Sequence, residues 1–390
     1  MEVPKRFQAG WEGMSQVERS VAATLLGLVF VLFLAVIGGV LTPAYFVFLL
    51  GLGGMYALLS LGLNAQWGFT GLINFSVAAF FGIGAYGTAL MTADNSPIAG
   101  GFSPITGLIV ALIVTAVIAV LIGIPTLSLR DDYLAIATLG LAEVVRLIAL
   151  NQDSWTNGSA GVRGIPPFFD GWPILDGLPR ALPGFRIELV PGSPLFLETP
   201  FYTAMLNLLI VGTFIGITYF ALRRAHRAPW GRLLRTIRAD EDLAKALGKN
   251  TYWYKMQAFV LGCLVMALAG VFYAHLNRYV APGTLDPITT FYVWVAVMLG
   301  GSGSNRGALL GGFVIVAIRE GTRAIDFGAL PLEAAPLRLL VIGLLIILVM
   351  RFRPQGILPP QRELIWPGVV DDAPSQPDKA VRDTRGANNE

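Results

Sequence analysis

Hydrophobic residues in this chain come in long runs separated by short polar breaks. A bilayer core about 30 Å thick needs about 20 apolar residues in helix, and the runs fit that length. They predict spans at Val21–Leu41, Ala44–Leu63, Thr70–Met91, Ile105–Leu127, Tyr133–Leu150, Phe201–Leu222 and Met256–His275. Three shorter runs follow at Ile288–Leu299, Ala308–Ile318 and Leu337–Met350. The pattern predicts an all-α, polytopic membrane protein of about ten transmembrane or half-membrane helices. The third run is rich in Gly and Ala, including Gly71, Ala78, Gly82, Gly84 and Gly87. Small residues let helix backbones approach closely, so this span belongs inside the bundle.

The breaks divide the chain. Residues 1–20 form a polar N-terminal segment, 21–351 the membrane domain and 352–390 a polar tail with no apolar period, read as disordered. The polar start is too long and mixed for a cleaved signal peptide. Residues 151–200 form a long loop rich in Pro, Gly and aromatics, and residues 223–255 a basic segment between spans six and seven. The sequence GGSGS at 300–304 breaks span eight from span nine, which are short enough to be half-spans or a re-entrant hairpin.

Charge orients the pattern. Only 14% of residues are charged and 55% are hydrophobic, against about 25% charged in soluble domains. The basic residues cluster at Lys5, Arg6 and Arg19, at Arg351 and Arg353, and in the basic segment, where eight Arg or Lys face three acids between Arg223 and Asn250. Basic loops stay on the cytoplasmic side. All three clusters fall there if both termini are cytoplasmic in a multi-pass inner-membrane protein. The 151–200 loop is then external, and the basic clusters meet anionic lipid rather than nucleic acid.

Candidate chemistry is sparse. The single Cys263 allows no intrachain disulfide, and the chain has two histidines, His226 and His275. No phosphate-binding GxxxxGK[ST], HExxH or CxxC motif occurs, so no metal or cofactor site and no catalytic residue is expected. Glu143 and Arg146 are spaced i, i+3 at membrane depth and can share a helix face. A charge there must face the bundle interior, water or a partner. Asn64, Gln66, Asn74 and Ser76 form a polar patch around the bend between spans two and three. With Glu143, Asn64, Gln66 and Asn74 are candidates for lining a translocation path; the competing reading is a closed hydrogen-bond network. In the basic segment, Asp240, Glu241 and Asp242 place negative charge at a helix start, which the helix dipole favours. Ala244, Ala246 and Leu247 offer a small apolar surface, and Gly248 can adopt the left-handed cap. This is a short docking helix.

Asp242-Leu243-Ala244-Lys245-Ala246-Leu247-Gly248 resembles the Glu-Ala-Ala-x-x-x-Gly coupling loop of ABC importer permeases. Asp242 stands for the Glu, Leu243 for the first Ala, and Ala244 and Gly248 match. The surrounding PWGRLLRTIRADEDLAKALGKNTYWYKMQAFVLG resembles the branched-chain amino acid permease family, as do LGLNAQWGFTGLINFSVAAFFGIGAY, LRDDYLAIATLGLAEVVRL, MLGGSGSNRGALLGG and RFRPQGIL. The outer loop and the Asp-Asp-Tyr-Leu-Ala segment favour the LivM-type subunit. The resemblance implies a type I-like importer half whose coupling helix, about Asp240 to Gly248, contacts separate ATPases that hold ATP and Mg. It further implies a second permease subunit of the LivH type, two ATPase subunits and an external solute-binding protein. Leucine, isoleucine and valine are the implied substrates, with urea, short amides or other amino acids as alternatives within the family. An ion-coupled secondary transporter remains the rival of another class.

Overall fold

The computed structural model describes residues 41–190 and 193–323, with Leu340, Gly343, Leu344, Ile347, Arg351 and Gly356–Leu358 beyond them. The chain divides into two units, residues 1–360 and 361–390; every described residue belongs to the first. The expected span at Val21–Leu41, most of that at Leu337–Met350, the N-terminal segment and the C-terminal tail lie outside the described residues.

The first described helix, α1 (Pro43–Leu63), starts one residue before the expected Ala44. The Thr42 Oγ1 accepts from Tyr45 N at 3.3 Å, and Pro fills a position that needs no N–H donor. A π-helical turn, Asn64–Gly68, continues it. Then α2 (Val77–Thr92), α3 (Pro104–Thr126) and α4 (Asp131–Asn151) follow. Short elements occupy the long loop: α5 (Asp153–Thr156), β1 (Val162–Arg163), α6 (Leu178–Ala181), and the hairpin β2 (Phe185–Val190) with β3 (Ser193–Leu197). The chain resumes with α7 (Thr199–Arg227), α8 (Pro229–Ala239), α9 (Glu241–Ala246) and α10 (Thr251–Asn277). It continues through β4 (Tyr279–Val280), which pairs with β1, to α11 (Ile288–Gly300) and α12 (Asn305–Arg323). Five of the described helical stretches are long and apolar enough to cross a membrane.

The small residues of α2 do what the sequence predicts. A Cβ on Gly84 would lie 2.2 Å from the Ala267 carbonyl oxygen, and one on Gly270 would lie 2.0 Å from that of Phe81. The backbones of α2 and α10 are therefore in contact, and both helices are mostly buried. By contrast, α3 keeps a face of Ile, Val and Leu exposed, including Ile109, Ile113, Val117 and Leu121. Exposed aliphatics on a helix this apolar are suited to lipid.

One expectation changes. The third span is not helical from Thr70. Residues 71–76 are not helical, and α2 begins only at Val77. Gly71 takes φ +81, a conformation a side chain resists. Asn74 Oδ1 then accepts from Ser76 N at 2.7 Å and Ser76 Oγ at 2.5 Å, a local turn that competes with helix. The exposed backbone finds partners elsewhere: Phe75 N donates to Thr138 Oγ1 at 3.0 Å, and the Asn74 carbonyl accepts from Trp294 Nε1 at 3.1 Å. Span eight is short, as the length of its run predicts. Helix α11 has 13 residues, about 20 Å at 1.5 Å per residue. Its first turn meets the start of α2, where Ala78 N donates to Thr290 Oγ1 at 3.0 Å.

Candidate functional site

Four chain reversals meet at one end of the bundle. They are the Asn64–Gly71 bend, the α3–α4 turn, the basic segment and the Gly301–Ser304 turn. Tyr252 Oη donates to the Ile124 carbonyl at 3.0 Å, and Gly303 N to Asn64 Oδ1 at 2.8 Å. The long loop and the β1–β4 pair lie at the opposite end, where Asp94 N donates to the Gly164 carbonyl at 3.3 Å.

The basic segment is two helices and their caps. Helix α7 runs past the expected end at Leu222 and carries Arg223, Arg224, His226 and Arg227 on its last turns. Helix α8 is amphipathic. Leu234 and Ile237 face inward, and Leu234 packs with Phe69 and Ala258. Gly231 is required there because a Cβ would lie 2.2 Å from the His226 carbonyl oxygen. Arg238, near its end, donates to the Gly68 carbonyl and, at 3.1 Å, to Ser302 Oγ. Burial pushes its guanidinium down from the usual value, yet an arginine stays charged.

Helix α9 holds the expected docking residues. Asp240 is its N-cap, accepting from Leu243 N at 2.9 Å. At the far end Gly248 N donates to the Lys245 carbonyl at 2.9 Å and Lys249 N to that of Ala244 at 3.1 Å. That pair of bonds is the Schellman cap. Gly248 supplies its φ of +74, with open space around a would-be Cβ. Its requirement here is conformational, not steric. Glu241 fastens the helix to α10. It accepts from Thr251 Oγ1 at 2.9 Å, pairs with Lys255, and meets Lys245 at 3.3 Å. Burial works to raise the Glu241 carboxyl; the hydrogen bonds from Lys255 and Thr251, helped by Lys245, overcome it and hold the group below its ordinary value. Asp242 is exposed and pairs with Lys245 at 3.5 Å. Ala244 is fully buried against the chain's own core, while Leu243 (52% exposed) and Leu247 (66%) face outward.

The four expected path-lining candidates fall in three places. Asn64, Gln66 and Asn74 are completely buried and belong to two sets of hydrogen bonds, one joining Gln66 with Asn74 and one joining Asn64 with Asn305. Gln66 Nε2 donates to the Phe259 carbonyl at 2.7 Å, Asn74 Nδ2 to Gln66 Oε1 at 2.8 Å, and Asn64 Nδ2 to Asn305 Oδ1 at 3.0 Å. Glu143 is separate. It forms a two-pronged pair with Arg146, at 2.8 Å from Nε and 2.5 Å from Nη2, on a partly exposed face of α4.

Sequence reasoning missed Arg238, Asn305 and the pair Arg319–Glu320. Helix α12 continues beyond Ile318, so Arg319 lies on a helix packed within the bundle. Its Nη1 donates to Tyr56 Oη at 2.7 Å, and its guanidinium stands over the Tyr56 and Tyr292 rings at 5.9 and 5.7 Å. Tyr56 sits midway along α1. Only the charge following an apolar run hinted at this site.

The assembly so far is a helical membrane protein with a broken span at its core and a rigid, capped helix at one end. The chain belongs to the family described as branched-chain amino acid transport system, permease component, whose model matches residues 45–350. It is similar to the high-affinity branched-chain amino acid transport system permease protein LivM of Escherichia coli (strain K12), 32% identical over 314 residues, covering 79% of this chain and 68% of that protein. A probable LivM of Methanocaldococcus jannaschii is 26% identical over 350 residues, covering 80% and 93%. LivH of Salmonella typhimurium is 28% identical over 321 residues, covering 79% and 92%. No solved structure matches the chain.

Proposed function

We propose that this permease is one membrane half of an ATP-driven importer for branched-chain amino acids, with α9 as its coupling helix. The observation that carries the reading is α9 itself. It is capped at both ends and fastened by Glu241, and it turns two leucines outward. A six-residue helix gains little from propensity alone, so its rigidity is a product of caps and pairing. Exposed leucines on such an element suit a partner's apolar groove. In this reading the basic end is cytoplasmic, as are both termini, and two ATPase subunits holding ATP and Mg dock there. A LivH-type permease completes the pore, and an external binding protein delivers solute to the 151–200 loop. This chain itself binds no nucleotide and catalyses nothing. Asn64, Gln66 and Asn74 hold the broken span that borders the path; Glu143 lies further along the same bundle. The family relation to LivM and LivH supports the substrate class.

The test is a reconstituted complex carrying Leu243→Asp and Leu247→Asp together. The variant is expected to insert normally and to lose both co-purifying ATPase and ATP-dependent uptake, each by at least tenfold. Wild-type binding and uptake would remove the coupling assignment. Uptake assays with leucine, urea and a short amide, each with ATP supplied or withheld, decide substrate class and energy source.

A further inference from the structure

Arg238 occupies a junction that the coupling reading leaves unused. It lies two residues before Asp240, the N-cap of α9. Its Nη1 holds the carbonyl of Gly68, at the end of the α1 π turn, and its Nη2 holds Ser302 Oγ in the turn between α11 and α12. Its Cγ lies 3.4 Å from the position a Cβ on Gly71 would take, where the non-helical segment of the broken span begins. These are the two reversals already joined by the Asn64–Gly303 hydrogen bond. Among the described residues no carboxylate pairs with Arg238. A helix-end carbonyl and a hydroxyl hold it instead. The carbonyl end of a helix favours a cation, and the planar guanidinium fixes two acceptors at set positions.

We propose that Arg238 is a positioning residue that transmits displacement of α9 to the broken span and to the α11–α12 turn. This rests on the reading of α9 as the coupling helix. Motion at a docking element reaches a distant site only through contiguous, packed elements. Two routes leave α9. One runs through Glu241 into α10, a continuous helix that resists deformation. The other runs through Arg238 to residues 71–76, which lie outside the helices on either side and whose interior is held by few backbone bonds, Phe75 N to Thr138 Oγ1 and Trp294 Nε1 to the Asn74 carbonyl. The second route ends on the part of the bundle that can shift at least cost. Leu234, packed with Phe69, makes α8 move as a unit with the bend.

The test uses the full complex with Arg238→Lys and Arg238→Gln. Lysine keeps the charge and cannot span both acceptors in a fixed fork. Both variants are expected to assemble with the ATPase subunits and to melt within a few degrees of the wild type. Solute moved per ATP hydrolysed should fall at least fivefold, a ratio that a purely structural strut would leave alone. A ratio within twofold of wild type in both variants overturns the proposal. If either fails to fold, Ser302→Ala removes one acceptor and decides instead: a two- to threefold lower ratio supports transmission, and an unchanged ratio overturns it. The leucine double variant separates the two readings. If it still binds the ATPases, the coupling helix and the transmission route fall together. If it loses them while the Arg238 variants transport normally, only the transmission route falls.

Discussion

At the scale of single residues, Glu241 shows how one carboxylate sets the attitude of a short helix. Its partners Thr251 and Lys255 lie on α10, ten and fourteen residues further along the chain. Because the folded carboxyl sits below its ordinary value of 4.5, its contribution to stability is present above that value. It is lost as pH falls through the lower folded value. The melting temperature of the wild type should therefore exceed that of Glu241→Gln at pH 7 by an amount that is constant down to about pH 5. The gap should close in more acid solution. A gap that stays constant below pH 4 would show that the charge of Glu241 contributes nothing. The acidic start of α9 was legible in the sequence, since Asp240 to Asp242 precede an alanine-rich turn. The division of labour among the three was not: Asp240 caps, Glu241 anchors and Asp242, among the described residues, meets Lys245.

At the scale of elements, glycine spacing in α2 was a reliable sign of close packing, because the space a Cβ needs is a property of the residue alone. Gly84→Val should overpack the α2–α10 contact and cost about 1–3 kcal/mol, read as a lower unfolding midpoint in detergent. Gly212→Val on α7, where nothing lies within 4 Å of the new Cβ, should leave the midpoint nearly unchanged. Equal losses would show that helix propensity, not packing, sets the cost. The break at 71–76 was hidden for the opposite reason. Gly-Leu-Ile-Asn-Phe-Ser is apolar enough to read as more helix. Its unwinding is tolerable only because Thr138 and Trp294 satisfy the freed backbone. The polar patch was visible as Asn64, Gln66 and Asn74, but its closure needed Asn305 and the Phe259 carbonyl.

At the scale of the whole molecule, the proposed orientation makes a direct prediction. Ile174, 80% exposed in the long loop, and Leu247, 66% exposed on α9, should lie on opposite sides of the membrane. A membrane-impermeant maleimide should label Ile174→Cys in intact cells and Leu247→Cys only after permeabilisation. The native Cys263 is buried and should stay silent. The reverse pattern would invert the topology and place α9 out of reach of any ATPase. Hydrophobic run length, clusters of positive charge and the motifs of the permease family are local, one-dimensional quantities, so the sequence by itself determined the class, the place of most described spans and the place of the short capped helix α9. What the tertiary structure decided are relations between distant positions: Arg238 with Gly68, 170 residues apart, and Arg319 with Tyr56, 263 apart. No periodicity encodes such pairings. They exist because a polar group withdrawn from water must find whichever partner the packed helices bring beside it.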